Sequence, residues 1–251
     1  MNSVVRLSDP VMGTVASVHI VARDRAADAV AVAGRVFGEL HRLERIFTTF
    51  ASDSEVMRIS RGELNLLDAS PEVIEVMDAC TWLEHESEGV FVARRPDGGL
   101  DPAGFVKGWA AQRASHLLTD AGFTDWFLGV GGDIQTRGLN ADSEPWSVGI
   151  VDPTDPERVV CTLDLTDLAI ATSGTSARGM HIWNGAGDYV NPLASMSVIG
   201  PELKWADAFA TTAFVMGVDG INWVERFQGY HAIAVTHGGE LFAPAWAPAR
   251  I

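Results

Sequence analysis

Four short segments decide the fold: 126–130 (WFLGV), 146–151 (WSVGIV), 159–165 (VVCTLDL) and 168–172 (LAIAT). Each is rich in β-branched or aromatic residues and too short for a helix, so each reads as a strand. Gly131-Gly132-Asp133 and Asp152-Pro153 supply turns between them. Upstream the periodicity changes. Residues 24–46 place Val30, Val32, Val36, Leu40, Leu43 and Ile46 at intervals of mixed threes and fours, an amphipathic helix. Residues 71–88 predict a second helix, with Pro71 in its first turn and Gly89 just past its end. Residues 105–120 predict a third, with Phe105, Val106, Trp109, Ala110, Leu117 and Leu118 on one face and Ala121-Gly122 as its cap. One strand is expected over 11–21 (VMGTVASVHIV), others over 194–200 and 231–236, and a short apolar helix over 206–217. Helices early and strands clustered later predict α+β rather than alternating βα units. The RRPDGG run at 94–99 is turn chemistry, either a boundary or a hairpin loop.

The chain has 251 residues, room for one domain or two packed lobes. A net charge of -15 repels phosphate backbones, which makes nucleic acid a poor partner. The same charge means that a polyanionic ligand needs compensation from a metal, a lysine or backbone N–H groups. Cys80 and Cys161 are too few for a disulfide framework and read as buried free thiols. No signal-peptide pattern opens the chain and no run of about 18 apolar residues occurs, so a cytoplasmic enzyme without a membrane segment is expected.

Four segments carry chemistry. Asp101-Pro102-Ala103-Gly104 leads into the third helix, whose N-terminus suits an anion, and Lys107 projects from its first turn; alternatively Asp101 is only a cap and Lys107 solvated. Val130-Gly131-Gly132-Asp133 allows close backbone approach or is a plain tight turn. Ala171-Thr172-Ser173-Gly174 reads as a loop dense in donors, followed by Arg178 and by His181, a general base or a structural histidine. Asp207 and Thr211, four apart, share one helix face. A carboxylate and a hydroxyl there suit a hard divalent cation, or Asp207 is an N-cap and Thr211 bonds back to the helix.

Taken in order, DPxGxxKGW, GGD, ATSG followed by His181-Ile182, and ADAxATT resemble the FAD:protein FMN transferase (ApbE) family, as do Met12-Gly13-Thr14 and the LERIFTTFASDSE run at 43–55. The resemblance covers about residues 11–217 and implies a single domain over 1–251 with a mixed, largely antiparallel sheet, packed helices and two intimately joined lobes. It implies Mg²⁺-dependent transfer of FMN from FAD to a Ser or Thr hydroxyl of an acceptor protein, with release of AMP. Mg²⁺ would be held by Asp207, Thr211 and the backbone carbonyls of Gly104 and Ala210. FAD would contact Met12, Phe50, Val90, Phe91, Asp101, Lys107, Ser173 and Ile182, with Gly131, Gly132 and Asp133 shaping the site. His181 would take the proton of the attacking hydroxyl, and Lys107 and Asp207 would complete the catalytic set. The chain departs from the family pattern at Phe50, Ser60 and Gln112, where a tyrosine, an asparagine and an aspartate are frequent. The alternatives are an Mg²⁺-dependent FAD pyrophosphatase giving FMN and AMP, and a non-catalytic FAD-binding protein.

Overall fold

The first hairpin pairs β1 (Val4–Val11) with β2 (Thr14–Val21), antiparallel and in register from Val4↔Val21 to Val11↔Thr14. The computed structural model describes residues 3–95, 97–153, 155–174 and 182–243. The stretch expected as one strand over 11–21 is therefore broken at Met12-Gly13, where φ is 54° and 67°. Two successive positive φ values make the mirror-image turn whose twist matches that of the strands. Met12 is not a usual turn residue, so the alternation runs through it without a visible stop.

β3 (Trp126–Val130) and β4 (Asp133–Arg137) close a second hairpin through Gly131 and Gly132, at φ 60° and 94°. The pairing Ala16↔Val130 sets the two turns side by side, and the Gly131 N–H donates to the Val15 carbonyl at 3.1 Å. A Cβ at Gly131 would lie 2.9 Å from Thr14 Oγ1, so the glycine also permits this close approach. The sheet continues through β7 (Ala169–Gly174), β8 (Ser195–Gly200), β9 (His231–Val235) and β10 (Leu241–Phe242). Its order is β1-β2-β3-β4-β7-β8-β9-β10, and every strand pairing in it is antiparallel. The segment expected as a loop at 171–174 belongs to β7: Thr172 and Ser173 pair with Ser197 and Met196.

The two faces of the sheet are covered differently. The hairpin of β5 (Trp146–Asp152) and β6 (Asp155–Leu165) packs Val148, Ile150, Cys161 and Leu163 with Ile170, Ile199 and Ile233. A second, larger cluster belongs to the helices α1 (Ala26–Phe47), α2 (Glu55–Ser60), α3 (Pro71–Glu86), α4 (Ala103–Asp120), α5 (Leu203–Met216) and α6 (Gly220–Val224). The predicted stripe of α1 is buried at Val32, Val36, Leu40 and Leu43, whereas Val30 is half exposed. α4 ends as its sequence indicates: Gly122 stands at φ 79°, with Phe123 N–H donating to Leu118 and Gly122 N–H to Thr119. The two ends of the 94–99 run meet as those of a hairpin loop do, with Arg94 bridging Leu100 and Arg95 N–H donating to the Gly99 carbonyl. Cys80 and Cys161 are free and buried. Among the described residues no helix is long and apolar enough to cross a membrane.

α5 is buried along most of its length and crosses α4 at Gly108. A Cβ at Gly108 would fall 2.5 Å from Asp207 Cβ and 2.7 Å from the Leu203 carbonyl oxygen. An interior glycine disfavours a helix by roughly 0.5–1 kcal/mol relative to alanine, and here close contact between two helices outweighs that. Gly108→Ala is expected to lower unfolding stability by about 1–3 kcal/mol, the usual range for overpacking. Urea unfolding checks this; a variant as stable as the parent would mean that α5 can shift freely.

Candidate active site

Asp207 is the fifth residue of α5, so it does not cap the helix; Glu202 occupies the N-cap and makes no side-chain capping bond. At 3% exposure its carboxylate needs partners. Oδ2 accepts the Gly108 N–H at 2.7 Å, and Oδ1 lies 3.7 Å from Lys107 Nζ. In an unbroken helix the Gly108 N–H would be directed at the Gly104 carbonyl. The bond to Asp207 competes for it and favours a free lone pair on Gly104. Lys107 is not solvated surface: its Nζ also stands 2.6 Å from Asp133 Oδ2. Asp133, fully buried at the start of β4, accepts the Thr172 N–H on Oδ1 at 3.2 Å. One lysine thus lies between two buried carboxylates. Burial pushes the Asp133 pKa up, Lys107 opposes this, and Asp207 reinforces it, to about 7.

Thr211 follows Asp207 by one turn, and its hydroxyl lies 2.9 Å from the Ser173 hydroxyl on β7. The bond back to the helix is made by its neighbour instead, Thr212 Oγ1 to the Ala208 carbonyl at 2.8 Å. Gly104 stands against the same place, since a Cβ there would lie 3.4 Å from Thr211 Cγ2 and 3.0 Å from the Phe91 ring.

Above these groups the surface opens into two adjoining chambers of about 370 and 350 Å³. Met12, Phe47 and Val106 help line the first, and Gly104, Gly131, Ser173, Ile182, Asp207 and Thr211 the second. Phe50, Asp101 and Lys107 line both, and Phe50 is wholly exposed at the mouth. Asp101 precedes the N-cap of α4, Pro102, and accepts the Ala103 N–H at 3.1 Å in a local turn; burial raises its pKa, the Ala103 N–H and Arg95 lower it, and Asp97 raises it.

Of the expected residues, Val90, Phe91, Gly132, Asp133 and Ala210 line neither chamber. Phe91 is a buried wall behind Gly104, and Gly132 serves the hairpin turn. His181 and Arg178 lie outside the described residues. Sequence reasoning gave Gly108 no role, although a glycine inside an apolar helix was a signal. It also passed over Thr49 and Trp183, which line the cleft. The three family departures have local functions or positions. Phe50 lines the cleft; Ser60 Oγ accepts the Leu100 N–H at 2.9 Å; Gln112 Oε1 accepts the Lys204 N–H at 3.0 Å.

Among the described residues no three His, Cys, Asp or Glu side chains gather as a metal cage. The donors present are hard oxygens, two carboxylates with hydroxyls and a glycine carbonyl. Mg²⁺ uses such a set when substrate phosphates complete its shell. With both ionised, the two carboxylates carry one more negative charge than Lys107 balances, so the residues fit a divalent cation.

Fold and site together define a class: an α+β protein with a two-chambered cleft over a buried cluster of two carboxylates and one lysine. The ApbE family matches residues 12–94 and 91–234, and the chain belongs to that family. It is 30% identical over 197 residues to the FAD:protein FMN transferase of Escherichia coli, covering 71% of this chain and 56% of that protein's length. It is 25% identical over 306 residues to that of Klebsiella pneumoniae, covering 96% of this chain and 87% of that protein. The flavin transferase ApbE of Vibrio cholerae has the same fold, with a TM-score of 0.84 at 23% identity over 97% of both chains. So does the ApbE protein of Thermotoga maritima, at 0.83 and 20% over 97% of both.

The folded protein holds the Asp133 proton more tightly than the unfolded chain does. The contribution of this group to stability is therefore full below the ordinary carboxylate range and is lost as pH rises through about 7. Asp133→Asn cannot titrate. Urea unfolding of the metal-free proteins from about pH 5 to 8 is expected to show the parent losing stability relative to the variant. A gap that stays constant or moves the other way would mean that Lys107 keeps the carboxylate charged throughout.

Proposed function

We propose that the chain transfers FMN from FAD to a Ser or Thr hydroxyl of an acceptor protein and releases AMP, with Mg²⁺ at Asp207. The observation that carries this is the Lys107 ammonium between Asp133 and Asp207, beside the Thr211–Ser173 hydroxyl pair, on the floor of a cleft with two chambers. A dinucleotide has two bulky ends joined by a polyanion, and this cleft offers space on both sides of a centre where Lys107 and a divalent cation would meet that polyanion. Family membership and the names of the curated relatives support the same reading. Cys80 and Cys161, both free and buried, fit the reducing cytoplasm as its compartment.

In this reading Asp207, the Thr211 hydroxyl and the carbonyls of Gly104 and Ala210 would hold the cation, which would supply charge neutralisation to a pyrophosphate. Lys107 steadies the same oxygens, and Asp133 fixes the direction of Lys107. Phe50, Met12 and Ile182 give apolar contact to the rings, and Asp101 and Ser173 offer polar contacts beside them. The acceptor hydroxyl oxygen attacks the FMN phosphorus while the bond from that phosphorus to the bridging oxygen breaks, so AMP leaves with that oxygen. The hydroxyl proton would pass to His181, general-base help of a kind that contributes typically 10²–10⁴-fold.

Incubation with FAD, Mg²⁺ and a flavin-acceptor domain tests the proposal. Fluorescent acceptor on a denaturing gel with one AMP per flavin is expected, and chelation of Mg²⁺ abolishes both. Free FMN without labelled acceptor would replace transfer by hydrolysis, and intact FAD would leave a binding protein. Within this scheme Asp207→Asn keeps the shape and can still accept the Gly108 N–H, so folding survives. AMP release is expected to fall about 100-fold or more, the scale of losing a metal's charge stabilisation. Thr211→Val, which removes a neutral donor, should cost less. Near-parental AMP release by Asp207→Asn at saturating FAD would reject the metal assignment.

A further inference from the structure

The N-terminus of α5 is capped by side chains from two other elements. The Leu203 N–H donates to Gln135 Oε1 at 3.2 Å and the Lys204 N–H to Gln112 Oε1 at 3.0 Å. Gln135 is on β4, two residues beyond Asp133 and therefore on the same face of the strand. Gln112 is on α4, the helix that carries Gly104, Lys107 and Gly108. Asp207 lies one turn along α5 from Leu203. Each glutamine thus ties the first turn of α5 to an element that delivers a site residue. A serine or aspartate at the N-cap would satisfy the same N–H groups, but it would not fix α5 against either neighbour.

We infer that Gln112 and Gln135 are positioning residues that set the place of Asp207 and Thr211, and hence the strength with which the site holds a divalent cation. Gly108 fixes how closely α5 approaches α4. It does not by itself set the axial position of α5, because sliding along a close-packed contact changes the approach little. The two amide oxygens supply that axial stop: Leu203 is fully buried and Gln135 is 9% exposed, while Gln112 and Lys204 are half-buried, Gln112 beside a small open cavity. A small shift of α5 would carry Asp207 away from Lys107 and Thr211 away from Ser173 together. The inference rests on the metal site proposed above and concerns residues that line neither chamber of the cleft.

The test uses Gln112→Met and Gln135→Met, which keep length and lose the acceptor, and Gln112→Glu, which keeps an acceptor. Mn²⁺ binding to each folded protein is followed by electron paramagnetic resonance, and AMP release from FAD by Mg²⁺ titration. Both Met variants are expected to bind Mn²⁺ about tenfold more weakly, the lower end of what loss of outer-shell support costs. They should need correspondingly more Mg²⁺ for half-maximal AMP release, with kcat at saturating Mg²⁺ little changed, while Gln112→Glu behaves like the parent. A purely structural cap would lower the thermal midpoint and leave Mn²⁺ affinity alone, which overturns the inference. Either Met variant carries the test if the other fails to fold. If the parent binds Mn²⁺, the Met variants bind it more weakly and AMP never appears, the positioning role stands and the transferase reading falls. If the parent binds no Mn²⁺ at all, the positioning role falls with the metal site.

Discussion

Asp207 is a carboxylate inside a helix that is otherwise mostly apolar and almost wholly covered. Taking one such charge from water into a protein interior costs several kcal/mol even after relaxation. The surrounding structure is arranged around that cost. α4 gives a backbone N–H at a point where only glycine lets the helices meet, and the next residue back along α4 gives an ammonium group. That ammonium is shared with Asp133, itself fully buried, so with both carboxylates ionised the compensation is incomplete by one charge. Such an interior, with both carboxylates ionised, suits a cation of the kind proposed above. The helix crossing, the position of β4 and the burial of α5 all follow from holding these three groups together.

The sheet contributes a firm edge to this arrangement. Two tight hairpin turns, at Met12-Gly13 and Gly131-Gly132, lie next to one another and end beside the last residues of β7. Short turns of this kind leave little backbone freedom. The floor of the cleft is therefore set by strand register, while the mouth is marked by an exposed side chain, Phe50, on the loop between α1 and α2.

Much of the fold was legible because burial follows period. The stripes of α1 and α4, the four strand segments after residue 126 and the glycine cap of α4 all express one-sided burial or a backbone rule acting over a few residues. What escaped was set by contacts distant in sequence. Met12 turns the chain without turn chemistry, because pairing of the flanking strands imposes its positive φ. Ala171–Gly174 looks like a loop because small polar residues favour loops, yet its neighbours in the sheet hold it extended. For the site, Lys107, Asp207 and Thr211 were found as residue types at helical spacing. The link between Lys107 and Asp133, and the anchoring of α5 by Gln112 and Gln135, join positions many residues apart and leave no local pattern.

The cleft draws on Met12 at one end of the described chain and Thr211 toward the other, with Phe50, Lys107, Gly131 and Ser173 between. Among the described residues no contiguous stretch holds even half of it, so a partly unfolded molecule has no partial site to offer. Whatever binds there binds the native form alone. Occupancy therefore adds to the folding free energy of the entire chain as RT ln(1 + [ligand]/Kd), about 2.7 kcal/mol at a hundredfold excess over Kd. The protein is accordingly steadiest, and hardest for proteases to open, in cells rich in its ligand.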